Sequence, residues 1–375
     1  MMRVLQRVTS VRGRVALSLA LAAATVALGT GLARANAFVQ TNLVSDVPAL
    51  AVHTDAVLKN AWGLSHGPNT PFWISDAGTD LSTLYDGTGT PFPPAPAMPL
   101  QVSIPAPAPG VPAVPTGNLF NPTTGFVVSH GTASGKALFL FAGATGTISG
   151  WNPTVDFHHA IQVVNNFPQA SYTGIALGTN SSGTFLFAAN FTQQRIDVFT
   201  SGFAPAGLPG SFADPQVPRT FAPFNIENID GLLFVTYAKL NPNTGRDVPG
   251  AGNGYVAIFD TNGMLVRHVA SQGLLDSPWG MAIAPSTFQN VAGDLLVGNF
   301  GDGHITAFRL SDGMVRGQLK ADGRPIVIPG LWALVTGAGA LHADPTSVYF
   351  TAGINHEADG LFGTLTAAVD DTGSD

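Results

Sequence analysis

Short apolar runs bounded by Gly, Asn and Asp recur along the chain about every fifty residues. Each repeat opens on a small step: Trp62-Gly63-Leu64, Gly125-Phe126-Val127, Gly174-Ile175-Ala176, Phe224-Asn225-Ile226, Trp279-Gly280-Met281 and Trp332-Ala333-Leu334. Anchored at Gly63, Gly125, Gly174, Asn225, Gly280 and Ala333, the spacings are 62, 49, 51, 55 and 53 residues. A second run follows in every repeat (PFWISDAG, KALFLFAG, TFLFAANF, GLLFVTYA, DLLVGNFG, SVYFTAGI), continuous in Phe, Val and Leu as a buried strand is. A third run alternates, and in several repeats it ends in an Asp/Gly turn such as Asp86-Gly87, Asp260 to Gly263 or Asp312-Gly313. A weaker fourth run, such as LQVSIP or MLVRHVA, completes most repeats.

Four short strands per repeat, six repeats and almost no helical periodicity predict an all-β chain folded as a six-bladed β-propeller with four-stranded blades. Packing the blades radially buries their apolar faces and leaves only short outer edges open. The opening step is expected to start the innermost strand, with Gly allowing close backbone approach and the aromatic filling space between blades. The sixth repeat runs out after LFGTLTA, while AFVQTNLVSDV near the beginning reads as a strand with no repeat of its own. That segment is therefore expected to supply the last blade's outer strand and close the ring.

Domain boundaries follow. Residues 38–368 form the propeller, with a Pro-rich insertion at 91–115 that holds ten prolines around QVSI. Residues 369–375 form an acidic tail. Residues 1–37 have the three parts of a secretory signal: Arg3, Arg7, Arg12 and Arg14, then the apolar run Val15 to Leu28, then Ala35-Asn36-Ala37. The apolar run is shorter than the roughly 20 residues that span a bilayer, which favours cleavage after Ala37 over a retained anchor. A secreted or periplasmic location is expected, with no transmembrane segment left after cleavage.

Composition narrows the functions. With 44 Gly, 28 Pro and 10% charged residues among 375, the chain suits turns better than exposed helices. Loss of the leader removes five Arg and leaves 11 basic against 23 acidic residues, a net of −12. That charge repels phosphate backbones, so nucleic-acid binding is excluded as a class. The absence of Cys excludes disulfides, thiolate catalysis and Cys-ligated zinc.

Familiar catalytic motifs are missing: no H-E-x-x-H, no Walker loop. His158 and His159 are neighbours that a strand would point to opposite faces, an ordinary surface pair. Asp76, Asn190, Asn299 and Asn355 recur near second-strand ends, as hairpin caps or as a ring of oxygen ligands. Glutamate is scarce: Glu227 and Glu357 are the only two. Glu227 falls on the fourth repeat's inner strand, either as a paired or metal-bound carboxylate or in a solvated loop at the channel mouth. Asn225 and Asp276 are its candidate companions in a divalent-cation site, for Ca²⁺ or another divalent cation; no cofactor is required by the sequence. Asn60, Trp62, Asn225 and Trp279 are candidates for a ligand surface at the mouth. His356 with Glu357 is a weak candidate acid–base pair, set against a structural turn ending at Asp359-Gly360.

QTNLVSD, NAWGLS, PFNIENIDGLLFVTYAK, SPWGMAIAP and EADGLFG together resemble an uncharacterised family of exported bacterial proteins. That resemblance implies no activity. At the level of fold the chain also resembles NHL-repeat and gluconolactonase-like propellers. The latter implies a divalent metal held in the central channel by Glu, Asn and Asp, although their motif has no residue-by-residue match here. Two functions follow: a monomeric binding module for a protein or glycan partner, or a metal-dependent lactonase-like or esterase-like hydrolase.

Overall fold

The computed structural model describes residues 37–368; residues 1–36 and 369–375, on which the expected signal segment and acidic tail fall, lie outside the described residues. Six small sheets make up the ring, antiparallel but for a short parallel pairing of His53–Thr54 with Val44 and Ser45 at the edge of the last. Blade one holds Ala61–Ser65, Phe72–Asp76, Leu81–Tyr85 and Gln101–Ser103. Blade two holds Pro115–Phe120, Phe139–Gly143, Thr147–Trp151 and Ile161–Asn165. Blade three stops at three strands, Tyr172–Asn180, Gly183–Asn190 and Arg195–Thr200, with one bridge from Phe199 to Pro205 where a fourth would begin. Blade four holds Phe221–Ile229, Leu232–Lys239, Gly254–Phe259 and Leu265–Ser271. Blade five holds Pro278–Ile283, Leu295–Asn299, Ile305–Phe308 and Val315–Gln318. Blade six is Leu331–Thr336, Val348–Ala352 and Leu361–Ala367, and Phe38–Ser45 pairs antiparallel to the last of these, from Phe38 opposite Ala367 to Ser45 opposite Leu361. The first strand thus joins the last blade, and the first strand of each blade touches that of the next all the way round. The protein is a six-bladed β-propeller.

Five apolar clusters each fill the space between two neighbouring blades, and a sixth fills the space between blades six and one and runs on through the axis to Trp279 and Phe224. Between blades one and two, Trp73 stacks on Phe139 at 4.2 Å and meets Trp151 at 4.7 Å. Aromatic pairs of this kind add about 0.5–1.5 kcal/mol each beyond the area they bury.

One expected anchor moves. Gly125-Phe126-Val127 does not open an inner strand. Phe126 leads into a hairpin, Val127–His130 with Ala133–Lys136, inserted ahead of the blade's second strand. The inner strand of blade two is Pro115–Phe120, centred on Gly117. With Gly117 in place the spacings become 54, 57, 51, 55 and 53, more even than before. The Pro-rich stretch is the link between blades one and two, and its QVS segment is blade one's outer strand.

Every inner strand is irregular at the same place. Its register against the second strand shifts between Ala61 and Leu64, Tyr172 and Gly174, Pro223 and Asn225, Pro278 and Met281, and Leu331 and Leu334. The same shift occurs in blade two opposite Phe141 and Gly143. A bulge adds a residue and re-aims the side chains on either side. At the bulge the backbones nearly touch across blades. A Cβ on Gly63 would lie 2.2 Å from the Thr116 carbonyl, and one on Gly280 would lie 2.3 Å from that of Trp332. Gly63→Ala is therefore expected to destabilise by about 1–3 kcal/mol. Gly207→Ala, with nothing within 4 Å of its Cβ and no unusual backbone angle, serves as the near-neutral control. Denaturant midpoints of the two variants check this, and equal midpoints would overturn the close-packed hub.

Candidate functional site

The bulge determines where the opening aromatics go. Trp62, Trp279 and Trp332 do not fill the gap between two neighbouring blades, as expected; they converge on the axis. Trp62 stacks on Trp332 at 3.6 Å, Phe300 covers the ring of Trp332 at 3.9 Å, and Trp279 meets Trp332 edge-on at 6.0 Å. Phe224 joins at 5.9 Å. The Trp332 indole N–H donates to Asn60 Oδ1 at 3.0 Å, and that of Trp279 donates to the Thr173 carbonyl at 2.9 Å. The Trp62 N–H is buried and finds no acceptor among the described residues. This plug separates two mouths, one at the beginnings and one at the ends of the inner strands.

Each mouth holds one of the two glutamates. At the strand ends, Glu227 lines a cavity of about 380 Å³ with Leu64, Asn118, Ile175, Trp279 and Val335. Its Oε1 accepts from Asn225 Nδ2 at 2.9 Å and from the Met281 N–H at 3.4 Å, while Oε2 has no partner among the described residues. Burial pushes its pKa up to about 8, against the pull of those two donors, so the carboxyl is largely neutral at pH 7.

At the strand beginnings, a cavity of about 170 Å³ is lined by Asn60, Trp62, Arg246, Asp247, Trp332 and Glu357. Glu357 Oε2 is ion-paired with Arg246, which comes from a loop of blade four, and its Oε1 accepts from Asn60 Nδ2 at 3.4 Å. Burial raises the pKa of Asp247, whose Oδ2 is buried without a partner. Asn355, His356 and Glu357 have φ of 53°, 58° and 67°: three successive non-glycine residues in the left-handed region. Each costs of order 1–3 kcal/mol there and persists only when its surroundings over-determine it.

The remaining sequence candidates separate. Asp276 lies at the start of blade five's inner strand, on the Glu357 face, where its Oδ1 accepts the Gly250 N–H at 2.6 Å. It is thus at the opposite end of the axis from Glu227. Asn225 turns its amide N–H₂ toward Glu227 and packs its Oδ1 against the backbone at Gly174. As arranged, Glu227, Asn225 and Asp276 do not make a cation site. Among the described residues no group of three or more His, Asp or Glu gathers as metal ligands do. His356 makes no hydrogen bond with Glu357 among the described residues. His158 and His159 sit on an Asp156 turn at the surface, with His159 Nδ1 3.0 Å from Asp156 Oδ1.

The second-strand polar residues do not form a ring. Asn190 caps its turn through the Ser171 and Gln193 N–H groups, Asn299 donates to Asp302 and the Leu274 carbonyl, and Asn355 donates to Asp359. Asp76 is fully buried with neither oxygen partnered, and burial pushes its pKa well up. Arg246 and Asp247 were not foreseen. They lie in a surface loop with no repeat to mark them.

The fold and its two axial mouths define the class: a six-bladed propeller with a plugged channel. No family model matches the chain. It belongs to the same family as two proteins of Acanthamoeba polyphaga mimivirus, uncharacterized protein R648 and uncharacterized protein L690. R648 is 34% identical over 86% of this chain and 78% of its own length, and L690 is 35% identical over 86% and 84%. Among solved structures, a glucose dehydrogenase aligns with 88% of this chain and 100% of its own, at 12% identity and a TM-score of 0.52. A streptogramin B lyase aligns with 88% and 97%, at 12% identity and a TM-score of 0.49. At such identities the likeness concerns the fold alone.

Glu227 gives a test by pH. Its folded pKa lies above its unfolded value near 4.5, so the folded state holds the extra proton between about pH 4.5 and 8. Stability therefore falls as pH rises through that window. Glu227→Gln is expected to match the native protein at pH 4 and to exceed it at pH 9 by about 1–3 kcal/mol, less than the full shift implies because Glu227 is only half-buried. Thermal melts at the two pH values check this; a parallel offset at both would overturn it.

Proposed function

We propose that this protein is an exported binding propeller whose ligand is a small hydroxylated ring, such as the terminal sugar of a glycan, held at the Glu357 mouth. The observation that carries this reading is the left-handed turn at Asn355 to Glu357. Elsewhere in the chain non-glycine residues with positive φ stand singly, and only here do three follow one another among the described residues. Here the strain carries Glu357 from blade six to Arg246 of blade four and Asn60 of blade one.

Two further observations support a hydroxylated ligand. The Trp62 N–H is a buried donor and Asp247 Oδ2 a buried acceptor, and both are unpartnered at one mouth. Each costs about 1–3 kcal/mol in that state. A hydroxyl group donates and accepts, so a ring bearing several relieves both while its apolar face lies near the stacked indoles. At about 170 Å³ the cavity is below the usual range for drug-sized ligands, which suits one ring at the end of a longer chain.

Titration of tryptophan fluorescence with a panel of monosaccharides and oligosaccharide ends tests the reading. One sugar class is expected to bind, and Trp62→Phe, which keeps an aromatic ring and loses the N–H, is expected to weaken it about tenfold, equivalent to ~1.4 kcal/mol. No response across the panel, or binding untouched by Trp62→Phe and Glu357→Gln, sinks it.

Export rests on the leader, and a bacterial origin is part of the same proposal. N-terminal sequencing of protein recovered from the periplasm or medium of an expressing bacterium is expected to begin at Phe38. Recovery of the uncut chain in the cytoplasm alone would count against export.

A further inference from the structure

A second constellation lies far from the axis, on the outer strand of blade four. His268 Nδ1 is 2.6 Å from Asp214 Oδ2, and His268 Nε2 is 2.6 Å from Ser271 Oγ. Asp214 has a fully buried side chain, and its other oxygen accepts the Gln216 N–H at 2.9 Å. The His268 side chain is 13% exposed, and Ser271 is exposed. Buried carboxylate, half-sheltered imidazole and open hydroxyl make the chain of contacts that activates a serine: the carboxylate orients the ring, and the ring takes the hydroxyl proton.

The local backbone explains how these groups meet. Residues three apart on a regular strand face opposite sides. Here the register shifts: Ala270 lies opposite Val256, and His268 lies opposite Ala257. Val269 is the extra residue, and the bulge returns His268 and Ser271 to one face. Asp214 is brought in by the long segment after blade three. That segment is pinned by Phe212, whose ring meets Phe187 at 5.7 Å and Phe259 at 5.5 Å. Directly after Ser271 the backbone turns sharply, with Gln272 and Gly273 at φ of 53° and 57°. The amide N–H groups of Gly273 and Leu274, two and three residues further along the chain, find no acceptor among the described residues. A clamp holding Asp214 to the sheet would need only the Asp214–His268 contact; Ser271 adds nothing to it.

We propose that Ser271, His268 and Asp214 form a nucleophilic triad that cleaves small, sterically open carboxylic esters at the surface of blade four. Ser271 Oγ bonds to the ester carbonyl carbon as its proton passes to His268 Nε2. The C–O bond to the alcohol then breaks, and the leaving alcohol takes that proton. Water next adds to the acyl-serine, giving its proton to His268, and the Oγ–C bond breaks as Ser271 recovers the proton and the acid departs. No further co-reactant is needed. The site is independent of the sugar mouth, so either can fail alone.

The test is labelling of the purified full-length protein with a fluorophosphonate probe, followed by peptide mapping. Native protein is expected to be labelled at Ser271, Ser271→Ala to carry no label there and none elsewhere, and His268→Gln to react at least a hundredfold more slowly. Ser271 is exposed, so its alanine variant keeps the fold, and an unchanged melting temperature verifies that. A folded native protein that takes no label, or a Ser271→Ala variant labelled as fast as the native protein, overturns the proposal whatever the state of His268→Gln.

Discussion

The approach of six inner strands at the axis, backbone against backbone, is the constraint on which the rest of the structure depends. Glycine supplies it at Gly63, Gly117, Gly174 and Gly280, where a Cβ would come within 3 Å of the neighbouring strand's backbone. The bulge at the same level turns the preceding side chain inward, so three indoles from separate blades can meet. Asn225 is the polar exception among the six positions. It is tolerated because Gly174 beside it leaves room: a Cβ there would lie 2.1 Å from Asn225 Oδ1. The same amide then donates to the Trp279 carbonyl and to Glu227, tying the acid of one mouth to the hub.

Much of the fold was legible because the repeat is carried by types of residue that a hub and a buried strand demand. The second strands and the closing strand lie where the apolar runs place them, down to Leu361–Ala367 as the sixth repeat's last run. Blade two was misplaced for a physical reason. Its inner strand reads PTGNLF, with Thr116 where four of the other five blades have an aromatic (blade three has Thr173) and Asn118 where all five have Leu, Ile or Met. A search for apolar character therefore slides on to Phe126. Thr116 is nonetheless suited to its place, since its hydroxyl donates to the Tyr172 carbonyl at 2.7 Å and so joins blade two to blade three.

The sites were less legible, because period gives position along a strand but not direction from it. Alternation predicts which way a side chain points only in an unbroken strand. Here a bulge at each inner strand redirects the tryptophans, and a bulge at Val269 places His268 beside Ser271. Long-range partners were hidden altogether. Arg246 and Glu357 are 111 residues apart, and Asp214 and His268 are 54 apart. The scarcity of glutamate was the one compositional signal that pointed at the axis, and each Glu proved to occupy a mouth.

Ring closure and the Glu357 mouth are a single mechanical unit. The left-handed turn that carries Glu357 ends at Gly360, and the closing strand grips that point. Ser45 Oγ donates to the Gly360 carbonyl at 2.8 Å, and the Gly360 N–H donates to Asp46 Oδ1 at 2.8 Å. Lys59 lies between Asp46 and Asp359, and Asp359 in turn accepts from Asn355 within the turn at 2.8 Å. Net gains near 1 kcal/mol per hydrogen bond, and somewhat more where a charge takes part, are of the size needed to hold residues that each cost about 1–3 kcal/mol. Without the strand from Phe38 to Ser45, the Ser45 contact is gone, Asp46 directly after it loses its anchor, and the turn is free to relax. The axial site therefore exists only in the closed ring, and the segment that completes the sheet also sets the geometry of the mouth.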